Sequence, residues 1–181
     1  TTIIIGQDGF STPFDTLEQL IAQKAIAVNV GSYTGQASLR QQVMGKANVF
    51  RTATPKEVEQ MKLLLKHELE KGSLGLSTGL EYEPAFYSNR DEVIELAKVA
   101  AAAQARYMSH IRSEDINQQE ALEEIIQINN TNERIFNLFS IPSGIFWLCS
   151  SLQTINAVNP PIDKVSSLAT GSTQIAGYST L

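Results

Sequence analysis

The chain has 181 residues, of which 43% are hydrophobic and 18% are charged, so it can bury a core and does not have the composition of a disordered protein. Its formal net charge of -5 argues against a general nucleic-acid binder and gives no reason to expect attachment to an anionic membrane. The single cysteine, Cys149, excludes an intrachain disulfide and a thiolate zinc cluster. A reducing compartment suits this cysteine usage, so we expect a cytoplasmic location.

The first part of the sequence predicts two strands and two helices. Residues 3–5 form a β-branched run that is typical of a strand buried on both faces. Because this strand begins without a polar lead-in or a signal-peptide pattern, we expect the chain to begin inside a larger fold. Apolar residues then repeat at helical spacing over 17–21, residues 25–30 predict a second apolar strand, and a short helix is predicted over 39–44.

The strongest local signal is a helix that starts at Thr54. The tetrapeptide TPKE, which ends at Glu57, is a capping box with proline at the first helical position. Apolar residues continue at spacings of three and four as far as Leu69, and Gly72 is suited to end the helix. A short strand is predicted over 74–76.

The same pattern repeats further along the chain. Asn89 and Glu92 predict a second cap, followed by a helix to about residue 104. A strand over 105–109 comes next, followed by a helix over 120–128 with Ala121, Ile125 and Ile128 facing inward. Alternating strands and capped helices predict βα units and a parallel sheet.

The last third of the chain has a weaker pattern. A strand over 135–139 and a short final helix over 164–170 are predicted. The longest apolar run, 141–149, contains Pro142 and Gly144 and is too short for a transmembrane helix, which needs about 20 apolar residues.

Polar residues lie at the ends of three predicted strands, where parallel α/β folds carry their active sites. They are Asp8 after the first strand, Ser77 and Tyr82 after the strand at 74–76, and His110 and Arg112 after the strand at 105–109. A carboxylate and an imidazole are suited to Zn²⁺, so Asp8 and His110 are a candidate metal pair. Arg112 could clamp a substrate carboxylate in bidentate fashion.

Each of these residues also has a structural interpretation. A histidine at a strand end is more often a hydrogen-bonded structural residue than a ligand, and Asp8 before Gly9 is ordinary turn chemistry. Ser77 lacks the G-x-S-x-G pattern of a nucleophile. We expect His67 to be solvated and Cys149 to be a small buried apolar residue. Four glutamates are expected on exposed helix faces: Glu68, Glu70, Glu123 and Glu124.

Five segments, taken in order over residues 1–128, resemble a known enzyme family. They are TTIIIGQDGFS, NVGSYTGQASLRQQVMG, ATPKEVEQMKLLLKHELEKGSLGLSTGLEYEPAFYS, DEVIELAKVAA and YMSHIRSE, and GLSTGLEY followed by SHIRSE is the specific combination. This pattern resembles the N-acyl-D-amino-acid deacylases (D-aminoacylases) of the amidohydrolase superfamily. The resemblance implies an incomplete (β/α)₈ TIM-type barrel that binds Zn²⁺ and hydrolyses the amide of a small-molecule N-acyl-D-amino acid by metal-activated water.

The resemblance also implies roles for individual residues. His110 matches the metal-ligand histidine of the family's H-x-R motif. Asp8 falls where the family places a metal ligand, often a cysteine and in some members an aspartate. Arg112, Ser77 and Tyr82 lie in matching motifs that line the barrel mouth, which makes them substrate-binding candidates.

Several parts of the family's site have no counterpart in this sequence. The early H-x-H pair lies upstream of the residues present, and no histidine follows His110 where a second metal ligand is expected. The catalytic aspartate of the last strand is unmatched, since Asp163 lies at a predicted helix start. Gln36 stands where the family commonly has histidine. The catalytic residues therefore stay unassigned.

These departures leave two classes of function open. Residues 1–128 are predicted to form part of a barrel, and a complete barrel takes about 250 residues. Within 129–181, the stretch PPIDKVSSLATGSTQIAG faintly resembles the last barrel helix, so this segment is interpreted as a remnant of the last barrel units. Because two ligands cannot fill the usual three-ligand catalytic zinc shell, we predict very low activity for the isolated chain. The alternative is a catalytically inactive truncated barrel that works as a homo-oligomer or with a partner fragment, because open strand edges associate readily. A different amidohydrolase substrate, such as a dipeptide or cyclic amide, is a third possibility.

Overall fold

The structure is a computed structural model, and it describes residues 1–24, 26–130, 136–141 and 146–151, the last two as backbone strands. The strands, in chain order, are β1 (Thr2–Ile5), β2 (Asn29–Ser32), β3 (Thr34–Gly35), β4 (Gly75–Gly79), β5 (Arg106–His110), β6 (Phe136–Ile141) and β7 (Phe146–Ser151). The helices are α1 (Phe14–Lys24), α2 (Gln36–Met44), α3 (Pro55–Glu70), α4 (Arg90–Ala102) and α5 (Gln118–Asn130), with a 3₁₀ helix at Ala85–Tyr87.

The strands form two sheets that are mainly parallel. β1 pairs with β2, and the second sheet has the order β3-β4-β5-β6-β7, in which β6 and β7 are antiparallel and the other pairs are parallel. Helices separate the parallel strands along the chain, as βα units require. The predicted parallel α/β class is therefore confirmed, whereas the antiparallel β7 was not predicted. In the part of the chain that the structure describes, no helix is long and apolar enough to span a membrane.

The strand register places the functional ends of neighbouring strands side by side. Gly79, the last residue of β4, pairs with His110, the last residue of β5. On the other edge of β4, Gly35 pairs with Ser77. Since parallel strands end at the same edge of the sheet, the loops after β3, β4 and β5 are brought together there.

The hydrophobic core lies between the second sheet and helices α3, α4 and α5. Its fully buried members include Met61, Leu65, Leu76, Leu96, Tyr107 and Ile111. The predicted inward positions of α5 are confirmed, because Ala121, Ile125 and Ile128 are all buried. Burying one large apolar side chain contributes about 1.5–3 kcal/mol, so this cluster holds the strands that carry the site.

Both predicted helix caps are present. The Thr54 hydroxyl accepts a hydrogen bond from the Glu57 amide at 3.3 Å, and the Glu57 carboxylate accepts one from the Thr54 amide at 2.7 Å. Asn89 accepts from the Glu92 amide at 2.9 Å and starts α4. These bonds satisfy amides that have no partner inside the helix.

Some element bounds differ from the predicted ones. The strand predicted over 25–30 begins only at Asn29, because its ladder with β1 starts with the pair Thr2 and Asn29. The strand predicted over 74–76 extends to Gly79, since β5 supplies a partner for every residue from Gly75 onward. The helix predicted over 164–170 lies outside the described residues.

The fold also contains a buried ion pair that the sequence pattern did not predict. Arg40 of α2 contacts Glu92 of α4, and both side chains are almost fully shielded from solvent. The Gln36 amide donates to the other Glu92 oxygen at 2.7 Å, and Arg40 also donates to the Val49 carbonyl at 2.9 Å. Removing one partner of such a pair typically costs about 3–5 kcal/mol, because the other charge is left buried without a partner.

We expect the stability supplied by Glu57 to be lost in acid. Hydrogen bonds from Arg51 and from the Thr54 amide lower the pKa of Glu57 from 4.5 to about 2. The unfolded chain therefore binds this proton more readily than the folded chain, and the contribution disappears as pH falls from about 4.5 through about 2. The difference in unfolding free energy between the wild type and Glu57→Gln should accordingly shrink over this range in urea titrations.

Glu70→Gln serves as the matched control, because Glu70 lies at the exposed far end of the same helix. This variant removes one negative charge from the same helix and leaves the Thr54 cap intact. A Glu57→Gln difference that does not change with pH would contradict the prediction.

Candidate metal and substrate site

Three separated segments bring polar side chains to the C-terminal ends of the strands. Asp8 lies in the turn after β1, Tyr82 lies in the loop after β4, and His110 ends β5. Asp8 has a φ of 54°, a left-handed conformation that aspartate tolerates better than most residues. The turn therefore aims its carboxylate toward the end of β5.

Glycines allow the Asp8 turn to approach the strand ends closely. A Cβ added to Gly79 would collide with the Asp8 carbonyl, and one added to Gly35 would collide with the Gly9 carbonyl. The turn is also fixed by hydrogen bonds of 2.8 Å from the Gly35 amide to the Ser11 hydroxyl and from the Ser11 amide to the Ser38 hydroxyl. Residue types with no side chain are thus required where the turn meets the sheet.

His110 is the centre of the site. Its Nδ1 lies 3.6 Å from Asp8 Oδ1, and its Nε2 lies 2.9 Å from Glu114 Oε1 and 3.1 Å from Glu81 Oε2. The Tyr82 hydroxyl lies 3.3 Å from Nδ1 and 3.4 Å from Nε2. The structure therefore brings together Asp8, Tyr82 and His110, as predicted from the strand ends.

The donor atoms of this site are chemically suited to a divalent cation. Glu81, His110 and Glu114 offer ligand atoms that all lie within 4.8 Å of one another, and this is the one such group found among the described residues. Asp8 adds a further carboxylate on the Nδ1 side of the ring. One imidazole and several carboxylates match the ligand preference of Zn²⁺, so the residues present fit this metal.

The electrostatics of the site favour a cation. Burial, followed by the nearby Asp8 and Glu81 carboxylates, raises the pKa of Tyr82 above 10.0. Burial also raises the pKa of Glu114 above 4.5, although His110 acts in the opposite direction. Three carboxylates around one imidazole repel one another, and a bound cation would relieve that repulsion.

Ser77 lies deeper than a residue at the barrel mouth was expected to lie. It is fully buried, and its hydroxyl donates to the Gly6 carbonyl at 2.5 Å. This bond ties β4 to the chain that leads into the Asp8 turn. The structure thus gives Ser77 a supporting position, and its contact with a substrate stays a prediction.

Arg112 already holds a carboxylate in the way predicted for a substrate. Its Nε and Nη2 donate to Glu124 at 2.8 and 2.9 Å, and its Nη1 donates to the Phe86 carbonyl at 2.9 Å. The side chain lines a cavity of about 830 Å³ that also borders Glu81. A substrate carboxylate would therefore have to replace Glu124 on the guanidinium.

Two of the glutamates expected on exposed faces are buried. Glu124 is buried because it pairs with Arg112, and Glu68 is buried because its carboxylate accepts the Phe14 amide at 3.0 Å. Their predicted exposure was wrong, since helical spacing does not reveal a buried polar partner. His67 is exposed and contacts Asp15 at 3.3 Å, as expected of a solvated residue. The side chain of Cys149 lies outside the described residues.

Sequence reasoning assigned no role to Glu81 and Glu114, although both lie within the quoted motifs. Glu114 is four residues after His110, and Glu81 is two residues after Gly79, the last residue of β4. Their position beside a strand-end histidine was the available signal. On sequence alone, they could not be distinguished from ordinary solvated glutamates.

Comparison with known proteins agrees with the motif resemblance. D-aminoacylase from Alcaligenes xylosoxydans xylosoxydans is 35% identical over 114 residues, which are 63% of this chain and 23% of that protein. The resemblance to the N-acyl-D-amino-acid deacylases is confirmed. The chain spans about a quarter of the length of this curated relative. No protein-family model matches the chain.

Solved structures of this deacylase group share the fold of the chain. A structure of D-aminoacylase, which has a binuclear metal centre, matches with a TM-score of 0.70 and 26% identity, over 77% of this chain and 34% of that one. N-acyl-D-glutamate deacylase from Bordetella bronchiseptica, complexed with zinc and a phosphonate inhibitor, matches with a TM-score of 0.69 over 93% of this chain and 39% of that one. Its identity is 24%, so this second match shows the fold alone.

We expect Glu124→Ala to destabilise the chain by about 1–3 kcal/mol, because the partly buried Arg112 guanidinium would lose its carboxylate partner. Urea unfolding measures the change. Glu123→Ala is the matched control, since Glu123 is the neighbouring residue of α5. Its carboxylate accepts a hydrogen bond from the Gln119 side chain at the surface. Its cost should stay below about 0.5 kcal/mol. Equal losses in the two variants would show that the Arg112 pair does not stabilise the fold.

Proposed function

We propose that this chain is part of a metal-dependent hydrolase that cleaves the amide bond of N-acyl-D-amino acids. The observation that carries the proposal is the meeting of Asp8, Tyr82 and His110 at the ends of three parallel-sheet segments. These segments are the ones that resemble the deacylases, and the solved relatives include one with a binuclear metal centre and one with zinc bound. Geometry and resemblance thus support the same chemistry.

Zn²⁺ is the cofactor that we propose, with Asp8 and His110 as its protein ligands in this chain. When bound at such a site, Zn²⁺ lowers the pKa of water and polarises an acyl carbonyl. Asp8 and His110 come from different strand ends, so the fold must be intact before the pair exists. Metal affinity and folding are therefore expected to be linked.

The other predicted residues would bind and orient the substrate. The Tyr82 phenol is protonated at neutral pH and can donate a hydrogen bond to an acyl oxygen. Arg112 borders the adjoining cavity and would hold the substrate carboxylate after exchange with Glu124. Ser77 would act by supporting the Asp8 turn. No general acid or base is assigned among the described residues.

Within the parallel α/β class, we propose that the fold is an incomplete (β/α)₈ barrel of the amidohydrolase type. Residues 1–128 would supply part of the barrel, and 129–181 would belong to its later units. We also propose that the chain forms a homo-oligomer and that it is located in the cytoplasm. The exposure of Ile3 (44%) and Ile4 (47%) on β1 favours a covering neighbour, because β1 pairs only with β2 among the described strands.

We expect the purified 181-residue chain to retain about one Zn²⁺ per chain after loading and desalting. Inductively coupled plasma mass spectrometry measures the zinc content. Asp8→Ala combined with His110→Ala should retain far less, because both ligands are removed. His67→Ala is the control, since His67 is the other histidine of the chain and is exposed on α3. Equal zinc content in the double variant and the wild type would remove the metal hypothesis.

We expect the zinc-loaded chain to bind N-acetyl-D-glutamate in preference to its L enantiomer. The measurement is the change in the ¹⁵N signal of the labelled His110 ring during titration with each enantiomer. Tyr82→Phe should weaken the response to the D form, because it removes the proposed hydrogen bond to the acyl oxygen. Identical responses to the two enantiomers, or none to either, would contradict the proposed function.

Turnover is a separate measurement on the same samples. Release of free D-glutamate should not exceed the background rate, since the ligand set is incomplete in this chain. A robust rate would instead show that the residues present are sufficient for catalysis.

A further inference from the structure

The two ring nitrogens of His110 face different groups. Nδ1 faces Asp8 Oδ1 at 3.6 Å. Nε2 faces Glu114 Oε1 at 2.9 Å and Glu81 Oε2 at 3.1 Å. The Tyr82 hydroxyl is nearly equidistant from both nitrogens and therefore does not distinguish them.

The two spacings correspond to different interactions. Two ligand atoms that share one tetrahedral Zn²⁺ lie roughly 3.4 Å apart, given ordinary zinc–nitrogen and zinc–oxygen lengths. The separation of His110 Nδ1 and Asp8 Oδ1 is close to that value. The separation of Nε2 and Glu114 Oε1 is that of a charge-assisted hydrogen bond.

The geometry points to Glu114 as a positioning residue, which accepts the Nε2 hydrogen of His110 and thereby directs the Nδ1 lone pair toward Asp8 and the metal. This inference rests on the proposed function, because it assumes that Asp8 and His110 share the cation. A neutral imidazole carries one N–H group, so a hydrogen held at Nε2 leaves Nδ1 as the ligand atom. Carboxylates that hold metal-binding histidines in this way typically change metal affinity 10- to 100-fold.

Glu114 is better placed for this role than Glu81. Its contact with Nε2 is shorter, and its side chain is 22% exposed, compared with 40% for Glu81. Glu114 also lies four residues after His110, in the loop that follows β5, so the end of β5 positions both groups together. A less solvated carboxylate loses more free energy when its hydrogen-bond partner is removed. Glu114 therefore holds the orientation of the His110 ring more strongly than Glu81 does.

The competing arrangement makes Glu81 and Glu114 direct metal ligands. Their oxygens and a His110 nitrogen lie within 4.8 Å of one another, so a cation on the Nε2 side is geometrically conceivable. That arrangement requires the hydrogen to move to Nδ1, which would then face Asp8 as a donor. The two arrangements therefore differ in which nitrogen binds the metal.

Nuclear magnetic resonance can identify that nitrogen. The full chain is labelled with ¹⁵N-histidine and loaded with ¹¹³Cd²⁺ as a substitute for Zn²⁺. The chain has two histidines, and His67→Gln removes the exposed one, so the His110 signals can be assigned. We expect one-bond coupling between cadmium and Nδ1 and a proton retained on Nε2.

Variants of Glu114 test its role. Glu114→Ala should weaken cadmium affinity roughly 10- to 100-fold and give a mixture of Nδ1 and Nε2 coordination. Glu114→Gln should restore most of the Nδ1 coupling, because its amide oxygen can still accept the hydrogen bond. Glu123→Gln serves as a control on α5, and thermal unfolding establishes that each variant is folded.

Three outcomes would overturn the inference. The first is coupling between cadmium and Nε2 in the wild type. The second is a cadmium affinity in Glu114→Ala that equals that of the wild type. The third is a loss of Nδ1 coupling that is equal in Glu114→Ala and Glu114→Gln. The first outcome would place the cation on the Nε2 side of the ring, which faces both Glu81 and Glu114, while the proposed hydrolase function survives all three.

The metal-free chain separates the two proposals. In alkaline solution, once the His110 ¹⁵N shifts no longer change with pH and the ring is neutral, they should show the hydrogen on Nε2 in the wild type and a mixture of tautomers in Glu114→Ala. Failure of cadmium to bind would defeat the proposed function and the metal-directing role together. A mixture of tautomers in the metal-free wild type would defeat only the role of Glu114.

Discussion

The site depends on the close approach of the Asp8 turn to the ends of β3 and β4. Gly35 and Gly79 present bare backbone there, and a single added carbon at either position would collide with the turn. Once the turn is seated, the pairing of Gly79 with His110 fixes how far Asp8 lies from the imidazole. Backbone packing therefore sets the geometry of the site before any side chain contributes to it.

Buried polar contacts then hold the surrounding elements in place. Arg40 and Glu92 join α2 to α4 in the absence of solvent, and Arg112 and Glu124 join the end of β5 to α5. The apolar cluster supplies most of the burial, but it is not directional. Hydrogen-bonded charges have required distances and angles, and for this reason they fix the orientation of the helices around the strand ends.

The sequence predicted the elements of the fold better than its polar contacts. The caps at Thr54 and Asn89 and the inward face of α5 followed from local spacing, which depends on neighbouring residues only. The register that places Asp8 beside His110 was anticipated from strand ends. Burial of Glu124 could not be predicted, because its partner Arg112 is twelve residues away and no periodic pattern links the two. Glu81 and Glu114 lie close to strand ends in the sequence, but nothing in the sequence distinguishes them from ordinary solvated glutamates.

The glycine-lined contact has a consequence for how this chain can vary over evolution. The turn meets the sheet through backbone atoms, so Phe10, whose side chain is 42% exposed, is free to be replaced. Gly35 and Gly79 are not, since even alanine would push the turn outward. These two glycines carry no functional group, yet they are expected to be replaced less often over evolution than the polar surface residues around them.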